Sequence, residues 1–264
     1  MLDRDIDERR LAFGRVAELY DRARPSYPAG AIDTLSDFAR LQPGAQVLEV
    51  GAGTGKATRL LADRGLVITA LEPDPAMAAV ARRNCVGHPN VEIEQIAFEA
   101  WRPARRMQAV VSFQAWHWIE RTVRYERAAE ALQHEGSLAA IWTVPEWSST
   151  TLRDALRAAY AESAPRLAPG FPMHPASDPT RLAGDWVGEI STCSRFTAAQ
   201  VHEYPWSAQY SAAEYRDLLE THQDHILLSP DERARLLSAI SELIESAGKI
   251  HLDCVTRLCL ARLA

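Results

Sequence analysis

"VLEVGAGTGKAT", residues 47–58, is the stretch on which the fold turns. The apolar run "AQVLEV" suits a buried strand, and "KATRLLADRG" after it has the spacing of a helix stopped by Gly65. Between them stand glycines at alternate positions, Gly51, Gly53 and Gly55. Glycine there lets the backbone turn tightly and lets a ligand rest against the main chain. The start of the helix beyond favours negative charge.

A dinucleotide-binding loop reads G-x-G-x-x-G, with its third glycine one residue later than here. This loop reads G-x-G-x-G, and Glu49 precedes it by two residues. A carboxylate there repels a pyrophosphate and suits an ammonium group. The next apolar run, "LVITALE", ends in Glu72, placed to accept hydrogen bonds from ribose hydroxyls. A ligand with an ammonium, a ribose and no phosphate is favoured, and S-adenosylmethionine fits that description.

Outward from the loop the pattern repeats. "DPAMAAVARRN" reads as a helix, "VEIEQIAF" as a third strand, "MQAVVSF" as a fourth, "TVRYERAAEALQ" as a helix and "GSLAAIWTV" as a fifth strand. Strands alternating with helices predict an α/β fold, a doubly wound and mostly parallel sheet with helices on both faces. Beyond residue 145 the spacing is less regular. A helix is expected over 150–162, a proline-studded loop over 165–179, and a strand in "FTAAQVHEYPWSAQY". Helices follow in "SAAEYRDLLETHQDHILL" and "DERARLLSAISELIESAG", the second capped by Ser229 or Asp231. "KIHLDCVTRLCLARL" closes the chain as a strand that pairs, hairpin-like, with its late neighbour at the sheet edge. That makes seven strands, Rossmann-like, under a helical cap from the leader and the C-terminal insertions.

"VLEVGAGTGKAT", "ALEPD" and "SFQAWHWIE" together resemble the class I S-adenosylmethionine-dependent methyltransferases. The likeness is to the small-molecule branch that includes trans-aconitate and ubiquinone/menaquinone-pathway enzymes. "VAELYDRARPSYP" is similar to the leader helix of that branch. The resemblance implies that Glu49, Gly51, Ala52, Gly53 and Gly55 hold the methionine portion of the cofactor. It implies Glu72 for the ribose, Pro73 for the loop beneath it, and Phe98 with Glu99 at the adenine. Tyr20 or Arg24 in the leader would reach the cofactor carboxylate as part of a lid, and Tyr27 would close the acceptor pocket.

"SFQAWHWIE", residues 112–120, leaves the fourth strand at the switch point where open α/β sheets bind ligands. Gln114 and His117 are expected as polar contacts, Trp116 as a pocket wall and Trp118 as a structural plug. His117 stays open between cofactor contact, general base and satisfied structural histidine. Trp142 and Trp147, with Tyr204, Trp206 and Tyr210, suggest a pocket for a planar or apolar acceptor.

Composition narrows the classes. With 264 residues, 47% hydrophobic, the chain can bury one large core, and it is expected to be one methyltransferase domain. Within it, 1–30 reads as leader and lid, 40–145 as cofactor-binding core, 146–230 as cap, and 231–264 as the last helix and strand. A net charge of −6 argues against a nucleic-acid partner. "RPARR" at 102–106 reads as a solvated loop, and the Asn/Asp-Pro-Pro motif of nucleic-acid amino-methyltransferases is absent after strand four. The charged start and the lack of an 18-residue apolar run predict a cytoplasmic protein with no membrane partner. Cys85, Cys193, Cys254 and Cys259 lack metal spacing, and His222 and His225, three apart on a helix, are read as a face toward the cap, so no metal is expected. The expected partner is a small-molecule substrate, with a protein or RNA methyltransferase or a non-catalytic cofactor-binding module as alternatives.

Overall fold

A computed structural model describes residues 11–147, 150–167, 169, 173–176 and 185–264. Residues 1–10 of the leader and part of the loop expected over 165–179 lie outside those described. A 3-10 turn, Leu11–Val16, leads into α1 (Ala17–Ala23) and then α2 (Ala29–Phe38). The core follows as β1 (Gln46–Val50), α3 (Lys56–Ala62), β2 (Val67–Leu71), α4 (Pro75–Asn84), β3 (Val91–Glu94), β4 (Met107–Phe113), α5 (Arg124–Ala131) and β5 (Leu132–Glu146). The rest is α6 (Thr151–Ser163), α7 (Trp186–Thr192), β6 (Gln200–Tyr210), α8 (Ala212–Glu220), α9 (Gln223–Ile226), α10 (Pro230–Ala247) and β7 (Ile250–Arg262).

The seven strands form one sheet in the order β3-β2-β1-β4-β5-β7-β6. The first five are parallel, and β7 runs antiparallel between β5 and β6. The late strands pair as expected, Gln200 with Leu260 through Tyr210 with Ile250, but three helices join them rather than a turn. Strand order reverses between β1 and β4, which opens the crevice at their carboxyl ends.

The two-residue period of the strands sorts the core. On β4 and β5, Val110, Leu138, Ala140 and Trp142 face one side, against Tyr125 and Ala128 of α5 and Trp186 of α7. Ala109, Val111, Phe113, Ala139 and Ile141 face the other, against Ile32 and Leu35 of α2 and Leu61 of α3. A third cluster ties α6, α8 and α10 to the β7 residues Ile250, Leu252 and Cys254.

Capping follows the sequence. Asp74 accepts from the backbone N–H of Ala76 and Met77 at the start of α4, and Ser229, not Asp231, caps α10 in a reciprocal pair with Glu232. One expected helix is broken. The run from 211 to 228 divides at Thr221, whose Oγ1 donates to the Leu218 carbonyl at 2.6 Å. Its own carbonyl accepts from Arg24 Nη2 at 2.9 Å. Side-chain bonding of this kind offers the backbone an alternative to the next helical turn, and His222 begins a new direction.

Candidate functional site

Two adjoining hollows open at the carboxyl ends of β1, β2 and β4, with Tyr20, Gly51, Gly53, Phe113 and Gln114 as shared walls. The one on the β2 side is built around Glu72, which is buried. The Gly53 N–H donates to its Oε2 at 2.8 Å and the Asp74 N–H to its Oε1 at 2.9 Å. The carboxylate is therefore fixed across the glycine loop. Pro73, Met77, Ile96, Phe98, Glu99 and Trp118 complete this hollow, a largely apolar slot with acids at two points.

Gly51 sets how closely the two strand ends approach. It has φ +75°, and a Cβ there would lie 2.3 Å from the Ala115 Cβ. A side chain at 51 would collide with the chain leaving β4 as well as strain its own backbone.

The second hollow runs from the glycine loop to the cap. At its inner end Glu49 is almost fully buried and Thr58 Oγ1 donates to its Oε2 at 2.6 Å. Its Oε1 has no hydrogen-bond partner among the described residues. Burial lifts the Glu49 pKa to about 8, against the pull of the Thr58 hydrogen bond and helped by the nearby charge of Glu72. An uncompensated buried carboxyl of this kind takes up a proton when alone and welcomes a cation. Lys56 lines the same hollow, and burial lowers its pKa.

At the outer end Arg24 is held by the cap: Nε donates to Thr221 Oγ1 at 2.8 Å and Nη2 to the Thr221 carbonyl. Its guanidinium lies over the Tyr20 ring, 4.9 Å from the centroid. Tyr27 packs on Phe113 with centroids 4.8 Å apart. Trp206, Tyr210, Leu218 and His222 close this end.

A methyltransferase-domain family profile matches residues 47–136, the stretch holding both acids and the glycine loop. An uncharacterised methyltransferase of Mycobacterium tuberculosis is 28% identical over 89% of this chain and 86% of its own length. A demethylmenaquinone methyltransferase of Tropheryma whipplei is 35% identical, over 32% of this chain and 37% of its own. The YcgJ protein of Bacillus subtilis shares the fold at 14% identity, with a TM-score of 0.56 over 89% of this chain and 99% of that one. The chain carries a methyltransferase domain over residues 47–136, and along most of its length it is similar to methyltransferases.

The methyltransferase brings Tyr20, Glu49, Gly51, Gly53, Gln114, Arg24, Tyr27 and Ala52 to one or both hollows, and Glu72, Pro73, Phe98 and Glu99 to the β2-side one. Gly55 stands outside both, as the left-handed residue that starts α3, where a Cβ would press on Cys85 at 3.2 Å. Gln114 also has positive φ and donates from Nε2 to the Thr143 carbonyl at 3.0 Å, stitching β4 to β5 at the floor.

The Trp-His-Trp turn falls differently from the expectation. It is a 3-10 turn, Trp116–Trp118, and consecutive side chains leave it in different directions. Trp116 is fully buried against Phe98 and Tyr125, in the core rather than in a pocket wall. Trp118 lines the β2-side hollow, edge-on to Phe13 at 6.0 Å. His117 is exposed and lines neither hollow; its Nδ1 accepts from Trp142 Nε1 at 3.4 Å.

Trp142 lies on the far face of the sheet, stacked on Trp186 at 4.4 Å, because odd positions of β5 face the hollow and even ones do not. Thr143 is the wall residue instead. Trp147 packs against the cap cluster and lines neither hollow. Met173, Leu252, Cys254 and His222 were not singled out as pocket residues from the sequence. The odd-even alternation was a usable signal for Thr143; for His222 the helix break hid it.

Proposed function

We propose that this methyltransferase binds S-adenosylmethionine across both hollows and moves its methyl to a small, largely apolar organic acceptor held under the cap. Residues 40–145 carry the cofactor, and the leader with residues 146–230 closes the acceptor end. The observation that carries the reading is Glu49: a buried carboxyl with one oxygen unpartnered among the described residues, beside a loop where Gly51 leaves no room for a side chain. An ammonium is the group that suits it.

Glu49 takes the ammonium, Lys56 gives the positive charge for the carboxylate with the Tyr20 hydroxyl as a donor beside it, and Glu72 accepts from the ribose hydroxyls. Phe98 and Trp118 flank the adenine slot, whose rim carries Glu99. When bound, the cofactor supplies a methyl already activated on a sulfonium. The chain's own task is then to position the acceptor in line and to keep water out. Phe113, Tyr27 and Trp206 suit that task, because they make the shared wall and the outer closure apolar.

Isothermal titration with S-adenosylmethionine and with NAD tests the cofactor, and binding of NAD alone overturns the reading. Transfer of a labelled methyl from S-adenosylmethionine into a fractionated extract tests the acceptor. Label in the small organic fraction is expected; label in protein or RNA overturns the acceptor class.

A further inference from the structure

His222 stands apart from the residues already used. It lines the cap end of the acceptor hollow, it is only 8% exposed, and its Nε2 is buried with no hydrogen-bond partner among the described residues. A polar ring atom left so costs stability unless a ligand completes it.

Its neighbours are pinned on both sides. Thr221 is held by Arg24 through two hydrogen bonds. Asp224 Oδ1 sits 2.8 Å from His225 Nδ1, and His225 Nε2 sits 2.7 Å from the Tyr160 hydroxyl. The buried Asp224–His225–Tyr160 chain ties α9 to α6, so the imidazole between these anchors is held where it is. Burial, then the charge of Arg24, then His225 hold His222 well below the ordinary histidine value, so it is neutral.

We propose that His222 is the proton acceptor for the methyl acceptor, and that the acceptor presents a hydroxyl group on a flat apolar body. The inference rests on the methyl-transfer reading above. In the Nδ1–H tautomer, Nε2 offers its lone pair to the hydroxyl. The acceptor O–H bond breaks and its proton passes to Nε2, while the oxygen bonds the methyl carbon. The carbon–sulfur bond breaks with its electron pair staying on sulfur. The site begins with a sulfonium and a neutral imidazole and ends with a thioether and an imidazolium, so its total charge is unchanged.

The walls argue against other acceptors. Among the described residues the lining of this hollow contains a single acid, Glu49, placed for the cofactor ammonium, so an ammonium acceptor finds no further counter-charge among them. A carboxylate acceptor needs a free cation, but Arg24 gives Nε and Nη2 to Thr221 and Lys56, beside the glycine loop, serves the cofactor carboxylate. Trp206, Tyr210, Leu218 and Leu252 suit a flat apolar body.

The probes are 2-naphthol, 2-naphthoate and 2-naphthylamine. On the protein loaded with S-adenosylhomocysteine, titration is expected to show naphthol bound most tightly. His222→Phe is expected to weaken naphthol about 10-fold, as for a lost buried hydrogen bond, with S-adenosylhomocysteine affinity unchanged. With S-adenosylmethionine, His222→Gln is expected to lower naphthol kcat about 100-fold while KM moves little. A nitro-substituted naphthol, already ionised at the assay pH, is expected to lose far less in the same variant, a rescue that a merely structural histidine would not show.

Preference for naphthoate, equal loss with both naphthols, or binding of none of the three overturns the proposal. Failure of wild-type protein to bind S-adenosylhomocysteine overturns the cofactor reading instead. In that case the imidazole nitrogen resonances of His222, recorded with naphthol alone, still decide: an unmoved Nε2 signal refutes the contact.

Discussion

The two ends of the cleft are made in opposite ways. At the Glu72 end the anchoring groups come from a strand, a loop and the next strand within residues 49–77, with backbone N–H groups pinning a carboxylate, and the leader and the exits of β3 and β4 close the slot around them. At the His222 end it comes from the leader, β5, β6, α8 and β7, which meet only in the folded chain. The first is specified by short-range spacing and resembles a stencil. The second depends on packing among distant elements and is where the chemistry of the acceptor is chosen. A family can therefore keep one end fixed and vary the other.

Substitutions can break that contrast, beginning with the scaffold both ends share. Trp116→Ala empties a fully buried site beneath the turn after β4 and is expected to cost about 3–5 kcal/mol, read by denaturant unfolding. Trp118→Ala, two residues on, is expected to leave most of that stability and instead to weaken S-adenosylhomocysteine in a titration. Equal stability losses would show that the two tryptophans are not divided between core and cleft.

Gly51→Val tests the backbone end more severely than any side-chain change. The added atoms meet Ala115 and the residue is forced at φ +75°. The strain alone is of order 1–3 kcal/mol, and cofactor binding is expected to disappear in calorimetry while the circular dichroism of the sheet persists. Retained affinity would mean that the β1 and β4 exits can spread apart.

How much of this was legible follows the same contrast. The seven strands, the glycine loop, Glu49 and Glu72 were readable because each rests on spacing within a few residues. The Trp116–Trp118 turn was not, because a 3-10 turn sends neighbouring side chains in directions that neither a strand nor a helix period describes. Trp142 was placed in the pocket by its aromatic character, whereas the alternation of β5 sends it to the other face. His222 was read as a helix face because the break at Thr221 depends on Arg24, 197 residues earlier in the chain. Contacts of that span leave no local trace.

Glu72→Ala sharpens the comparison from the fixed end. It removes the acceptor for two backbone N–H groups as well as any ribose contact. Charged hydrogen bonds of this kind are worth about 1.5–3 kcal/mol each, so S-adenosylhomocysteine is expected to bind about 10- to 100-fold more weakly. Unchanged affinity in calorimetry would remove Glu72 from the cofactor site.

The smallest effect is also the one most specific to a single group. Glu49 has a folded pKa near 8, against an ordinary value of 4.5. Because the folded state holds this proton and the unfolded state releases it, the unliganded protein is most favoured on this account below the ordinary value. That advantage is lost as pH rises through about 8. Glu49→Gln is expected to flatten this fall, seen as a smaller drop in Tm between neutral and alkaline pH. An ammonium bound beside the carboxyl restores its charge and expels the proton. At neutral pH, titration of S-adenosylhomocysteine in buffers of different ionisation enthalpy is expected to show up to about one proton released on binding. In Glu49→Gln that release is expected to vanish while a weakened affinity remains. Proton release that persists in the variant would assign the release to another group and leave Glu49 without its role.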